Sequence, residues 1–229
     1  MQTYPDIEQR TPEWDALRAG RVGSSDAKAV TGKLKSGGEP AARRDLRTRV
    51  ALSTFGVTVA ENSYTNADMA RGISAEKLII SQVEVLRGEP ITSMGYIAHD
   101  DLPVGASPDG LIGSGPGSGI IEAKAPRSAI QIALWSHADD RDSGLGAVPA
   151  RHHQQLLHLL FVTETERDWV VYASWCEDMV PELQLYTTTL YRAQVTEELE
   201  TYEAQLRAFC AEVESEVKTI QTLIDIERG

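Results

Sequence analysis

The chain has only two cysteines in 229 residues, Cys176 and Cys210. That count excludes an iron–sulfur cluster or a four-cysteine zinc site, and two such residues read as small buried apolar side chains in a reducing compartment. No apolar run approaches the roughly 20 residues of a membrane span, so no membrane partner is expected. The opening "MQTYPDIEQR" lacks the charged and apolar regions of a signal peptide, and the expectation is a cytoplasmic protein. Positive charge is also scarce: 22 Lys and Arg stand against 34 Asp and Glu, a net −12. Taken alone, that balance argues against a nucleic-acid partner.

What is present changes the picture. With 41% hydrophobic and 24% charged residues, the chain can bury one substantial core. It reads as a single domain over residues 1–229, with a core at about 9–192 and an acidic helix at about 194–226. The charge is unevenly spread. Residues 10 to 50 hold ten Arg or Lys against five acids, a local +5 that leaves −17 for the remainder, and residues 193 to 229 hold nine acids against three bases. Such a segment could line an electropositive groove or form a solvated helix face of mixed charge.

The order of elements is mixed. "TPEWDALRAG" predicts a helix with Thr11 as N-cap, Pro12 in the first turn and Gly20 as its stop. "SSDAKAVTG" predicts a second, "LKSGGEP" a loop and "AARRDLRTRVALSTFG" a third helix. A longer helix spans about Asn66 to Arg87; Gly72 inside it costs about 1 kcal/mol relative to Ala and implies a packing or functional reason. "ITSMGYIAH", "PVGASPDGLIG" and "GIIEAKAP" read as three strands, the last two joined by the turn "GSGPGSG". Helices at about Ser128–His137 and Ala150–Val162 follow, then strands "DWVVYASW" and "LQLYTTTLYR". No internal repeat is visible. The fold class is α/β (α+β), a central mixed sheet flanked by helices.

Chemistry concentrates at one hairpin. Along a strand, side chains alternate between faces, so Glu122 and Lys124 share one face while Ile121, Ala123 and Ala125 fill the other. Two charges held there are costly unless something pairs with them. Asp109, in Ser107-Pro108-Asp109-Gly110, ends the preceding strand and can meet Glu122 across the turn. Two carboxylates with the Ala123 carbonyl suit Mg²⁺, which prefers oxygen ligands and keeps several waters. Lys124 beside them could orient or deprotonate a water and stabilise phosphate charge. The histidines of "RHHQQLLHLL" do not fit zinc: His153 and His158 miss the i, i+4 spacing and no glutamate follows as in zinc proteases. His152, His153 and His158 are expected at solvent or an interface, and Trp14, Trp135, Trp169 and Trp175 in the core or an interface.

These motifs, in this order, resemble the PD-(D/E)xK nuclease superfamily, and more narrowly the lambda exonuclease (YqaJ-like viral recombinase) family. The resemblance runs over "W-x-x-L-R-x-G" at Trp14 to Gly20, Ser24-Ser25, "G-x-x-x-E" at Gly72 to Glu76, "S-P-D-G-L" at Ser107 to Leu111, "E-x-K-x-P" at Glu122 to Pro126, and Gln155 in its helix. It implies a restriction-endonuclease-like core. It also implies roles: Asp109, Glu122 and the Ala123 carbonyl hold the metals, Glu76 reaches a second ion, and Lys124 is the catalytic lysine positioned by Gln155. Arg18, Ser25 and Ser107 would bind a 5′-phosphate, Lys35 would contact DNA from its loop, and Met69 would wedge the terminal base pairs apart. Leu157 stands where the family often has a second Gln, which leaves only details of lysine positioning open.

The activity so implied is 5′-to-3′ digestion of duplex DNA ends to 5′ mononucleotides, with two Mg²⁺ ions (Mn²⁺ substituting) roughly 3.5–4 Å apart. A homotrimeric ring, a phage single-strand annealing protein as partner and a phage or prophage origin in a bacterial host belong to the same expectation. In such a ring the basic segments would line the channel and the acidic surface would face outward. An endonuclease with the same site, or a catalytically silent end-binding module, are the alternatives. A silent module would be expected to lack an acid or the lysine, and none is missing.

Overall fold

The structure, a computed structural model, describes residues 1–57, 67–136 and 143–229, the side chains at 67–71, 73 and 165 excepted. Its centre is a five-stranded mixed sheet of β2 (Ile91–Thr92), β5 (Gly110–Ile112), β6 (Gly119–Lys124), β7 (Trp169–Trp175) and β8 (Leu185–Tyr191), in that spatial order. Only β6 and β7 run parallel; the other neighbours are antiparallel. The parallel step needs a crossover, and the segment between the two strands supplies α5 (Ser128–Ser136) and α6 (His153–Val162). At its start β6 lies very close to β7: a Cβ on Gly119 would sit 2.1 Å from the Trp169 ring, so only glycine fits opposite that indole.

Helices cover both faces. Helix α4 (Ala67–Arg87) lies on one, where Ile79 and Val83 pack with Ile112, Ile121, Trp169, Val171 and Ala173. On the other, Ile120, Val170 and Tyr172 join the larger core with α6, whose residues Leu156 to Val162 are all buried. The alternation read from β6 is therefore realised, with Ile121 and Ala123 toward α4. Outside α6 lie α2 (Ala27–Val30), α3 (Ala41–Ser53) and the long α8 (Thr196–Arg228). Thr11 caps α1 (Pro12–Arg18) by accepting from the Trp14 N–H, with Pro12 in the first turn and Gly20 at φ 71 just beyond the helix.

Three expectations change. "ITSMGYIAH" and "PVGASPDGLIG" do not form one strand each. The first splits into β2 and β3 (Tyr96–Ala98), the second into β4 (Gly105–Ala106) and β5, and β3 and β4 join β1 (Gln2–Tyr4) in a separate antiparallel sheet. "SSDAKAVTG" begins as a 3₁₀ turn over Ser24–Asp26 before α2. Of the two readings of the basic segment, α3 shows the mixed-charge helix face, though paired against α8 rather than fully solvated. Arg43 donates to Glu212 at 2.6 and 2.9 Å, Arg47 donates to Glu216 at 2.6 Å, and both reach Glu39. Helix α3 thus lays its arginines along the acidic face of α8, which holds Glu212 below the usual carboxylate range. Both cysteines are buried and free, as expected, and no helix among the described residues is long and apolar enough to cross a membrane.

Candidate active site

The β5–β6 hairpin brings the acids together. Gly110 pairs with Ile121, so Asp109 is carried to the level of Glu122 and Ala123, and its Oδ2 accepts from the Ala123 N–H at 2.6 Å. Glu122 is 3% exposed. Its Oε1 accepts from Gln155 Nε2 at 2.6 Å and also from the Lys124 ammonium. Gln155 lies on α6, so the helix covering this face holds the acid in place. Burial, with the neighbouring Glu122 charge, pushes Asp109 well above the usual carboxylate range; Lys124 and the Ala123 N–H oppose this. Burial pulls Lys124 down, but the Glu122 and Asp109 carboxylates outweigh it and its ammonium is held charged above the usual range.

A buried carboxylate, Glu122, and a half-buried one, Asp109, lie here beside one lysine. One of them is pushed toward protonation, which is the behaviour of an acid pair short of positive charge. A divalent cation supplies that charge, and a hydrated Mg²⁺ needs few protein ligands. The donor set fits such an ion. Among the described residues no three His, Cys, Asp or Glu side chains form a ready-made cage. Glu76, on α4, adds its charge to both Asp109 and Lys124, yet its carboxylate stands 3.6 Å from Arg10 Nη2.

A second cluster adjoins. The Arg18 guanidinium lies 4.1 Å over the Trp14 ring, whose Nε1–H donates to Ser107 Oγ at 2.7 Å. A Cβ on Gly23 would meet Asp26 Oδ2 at 3.4 Å, Arg18 Nη2 at 3.5 Å and Ser25 Oγ at 4.0 Å, so the guanidinium and the hydroxyl stand about that glycine together with a carboxylate that accepts from its N–H. Trp14 thereby links Arg18 to Ser107, which stands two residues before Asp109 in the chain. Lys35 stands exposed on its loop. Met69 lies on α4 seven residues before Glu76, its side chain outside the described residues. Among described atoms nothing lies within 4 Å of a Cβ at Gly72, so the packing reason expected for that glycine is not found there.

Several residues escaped the sequence reading. Gln9 donates to the carbonyls of Met94 and Pro108, tying the N-terminal segment to the residue before Asp109. Trp14 works as a hydrogen-bond donor; a half-buried indole N–H seeks an acceptor, and that was the available signal. His158 was expected at solvent or an interface and is instead fully buried, its Nε2 on the Gly105 carbonyl and its Nδ1 on the Tyr202 hydroxyl. His152 lies against Tyr172, and burial pushes its ring down to about 3.

Comparison with known proteins follows the same geometry. The model of the YqaJ-like viral recombinase domain matches residues 13–166. The chain belongs to that family. Its domain thus takes in α1 from its second residue, the hairpin acids, Lys124 and Gln155. Among solved structures, this YqaJ-like chain is similar to an alkaline exonuclease (LHK-Exo) from Laribacter hongkongensis: 26% identity, TM-score 0.75, covering 94% of this chain and 98% of that one. The same exonuclease in complex with dAMP gives a TM-score of 0.72 at the same identity and coverage. A phage related exonuclease from Haemophilus somnus 129PT shares the fold at 11% identity, TM-score 0.59, over 87% and 96% of the two chains. No curated protein matches the chain.

Proposed function

We propose that this chain is a Mg²⁺-dependent DNA exonuclease that digests one strand of a duplex from its end, 5′ to 3′. It releases 5′ mononucleotides and leaves a 3′ single-stranded overhang. The observation that carries the reading is the adjacency of two devices: the Asp109–Glu122–Lys124 hairpin and the Arg18–Ser25 cradle, joined through Trp14 and Ser107. Membership of the YqaJ-like family supports it, as does likeness to an alkaline exonuclease solved with a mononucleotide.

Asp109, Glu122 and the Ala123 carbonyl would hold the ion, with Glu76 available to a second. Bound there, Mg²⁺ supplies Lewis-acid polarisation of the phosphodiester and neutralises charge that develops in the transition state. The remaining work falls to side chains. Gln155 fixes the Glu122 carboxylate. Lys124, held charged beside both acids, is placed to orient the attacking water and offset phosphate charge. Arg18 is a planar, always-charged fork suited to two-point contact with a terminal phosphate, and Ser25 adds a hydroxyl. Such an anchor sets polarity: each cut creates a new 5′-phosphate, and its capture brings the next bond into register. A homotrimeric ring and a phage single-strand annealing partner complete the proposal.

The test follows a 5′-labelled linear duplex and a covalently closed circle over time with Mg²⁺. Early release of labelled mononucleotide and an intact circle are expected. Cutting of the circle would replace this reading with the endonuclease one.

A further inference from the structure

The segment entering α1 carries a feature that the site does not explain. Arg10 has φ 69, in the left-handed region that favours glycine, and among the described residues only Glu164 shares this trait outside glycine. The conformation is imposed from both sides. Before it, Gln9 is clamped to the carbonyls of Met94 and Pro108 at 3.1 and 3.3 Å. After it, Thr11 Oγ1 donates to the Glu8 carbonyl at 2.7 Å while accepting from the Trp14 N–H. The chain therefore turns sharply at residue 10 and sends a long cationic side chain, not the hydrogen of a glycine, toward the acids. Arg10 Nη2 lies 3.6 Å from Glu76 Oε2, with the arginine 54% and the glutamate 27% exposed.

This places a half-exposed cation on the one site carboxylate that belongs to α4. The ammonium of Lys124 is already paired with Glu122. Glu76 cannot give its full charge to a divalent cation while the guanidinium neutralises it. A guanidinium at the mouth of a phosphate-processing site is itself a strong phosphate ligand. We propose that Arg10 is a latch on the cation site: in the DNA-free chain it occupies Glu76, and a DNA phosphate draws it away. Cation and DNA then bind cooperatively, each favouring the state in which the Arg10–Glu76 pair is open, and the coupling is reciprocal. This rests on the nuclease reading of Glu76, Asp109 and Glu122.

The test is calorimetric titration of Mn²⁺ into the full-length, DNA-free protein, wild type and Arg10→Gly, each with and without Glu76→Gln. Glycine suits φ 69, so Arg10→Gly keeps the fold, and an unlowered melting temperature verifies that. Exposed ion pairs have modest strength, so Arg10→Gly should bind Mn²⁺ roughly two- to fivefold tighter than wild type. In the Glu76→Gln background the same change should have no effect. Anisotropy with a blunt duplex, without divalent cation, should show weaker binding by Arg10→Gly and a log–log salt slope shallower by about one. Unchanged Mn²⁺ affinity in Arg10→Gly overturns the latch, as does tightening that persists without Glu76 or unaltered duplex binding. Failure of the nuclease reading looks different and removes the latch with it: the wild type takes up no Mn²⁺, or its uptake is unchanged by Asp109→Ala and by Glu122→Ala.

Discussion

His158 makes the protein's acid stability predictable. Its ring is fully buried between α6, the Gly105 carbonyl (2.9 Å from Nε2) and the Tyr202 hydroxyl (2.6 Å from Nδ1). A carbonyl only accepts, so Nε2 carries the proton and Nδ1 accepts from Tyr202: the neutral ring satisfies both partners. Burial pulls the ring from 6.5 down to about 4, against a smaller upward pull from the Gly105 carbonyl. The unfolded chain therefore binds the proton first as pH falls. The contribution is fully present above pH 6.5 and drains away as pH falls toward 4. A separation of this size amounts to roughly 3 kcal/mol in total, of which about 2 kcal/mol is lost by pH 5. Urea unfolding followed by tryptophan fluorescence, at pH 7.5 and pH 5 and one protein concentration, gives the wild-type loss. The His158→Gln variant retains a donor and an acceptor but does not titrate, and carboxylate contributions cancel between the two proteins. Wild type should lose about 2 kcal/mol more than the variant over that interval. Equal losses would refute the assignment of a buried neutral His158.

Three further outcomes follow from the site and the proposed assembly. Asp109→Ala or Glu122→Ala should abolish cleavage yet leave duplex binding largely intact, because a Mg²⁺ site with few protein ligands cannot spare one; Lys124→Ala should also stop turnover, and near-wild-type cleavage by it would rule out the proposed role. Arg18→Ala should erase most of the rate advantage of 5′-phosphorylated over 5′-hydroxyl blunt ends, measured as paired initial rates; a wild type without that advantage would return Arg18 to an ordinary surface role. Light scattering should give about three times the 25.1 kDa chain mass, since a protomer of net −12 is a poor processive tracker unless closure retains the duplex; a monomer that degrades kilobases per encounter would contradict the ring.

Legibility in the sequence followed locality. Glu122 and Lys124 could be placed on one face because strand alternation is a two-residue rule, and Asp109 could be brought beside them because a glycine-rich turn joins the two strands. Thr11, Pro12 and Gly20 marked α1 for the same reason: caps and stops act within a few residues. The Met94–Gly95 break, where one apolar run divides between two sheets, depends on β1 pairing with β3 more than ninety positions away. His158 depends on Tyr202, 44 residues distant, and a polar residue type gave no hint that its partner would be buried with it. Arg10 was hidden more deeply. Nothing in "EQRTPEW" announces a left-handed arginine, which is produced by tertiary clamps on both neighbours.

The clasp between α3 and α8 alters how the chain's charge should be counted. Arg43, Arg47 and Arg49 make up three of the ten basic residues between positions 10 and 50, and the chain's own Glu212, Glu216, Glu39 and Asp26 already neutralise them. A cation paired within the protein displaces few counterions from a duplex, and each phosphate so forgone removes about 0.9 from the logarithmic salt dependence of binding. The acidic helix thus acts as an internal counter-polyanion to Arg43 and Arg47: under the proposed function, it would keep these two arginines of α3 from gripping the duplex backbone and leave attachment to other cations.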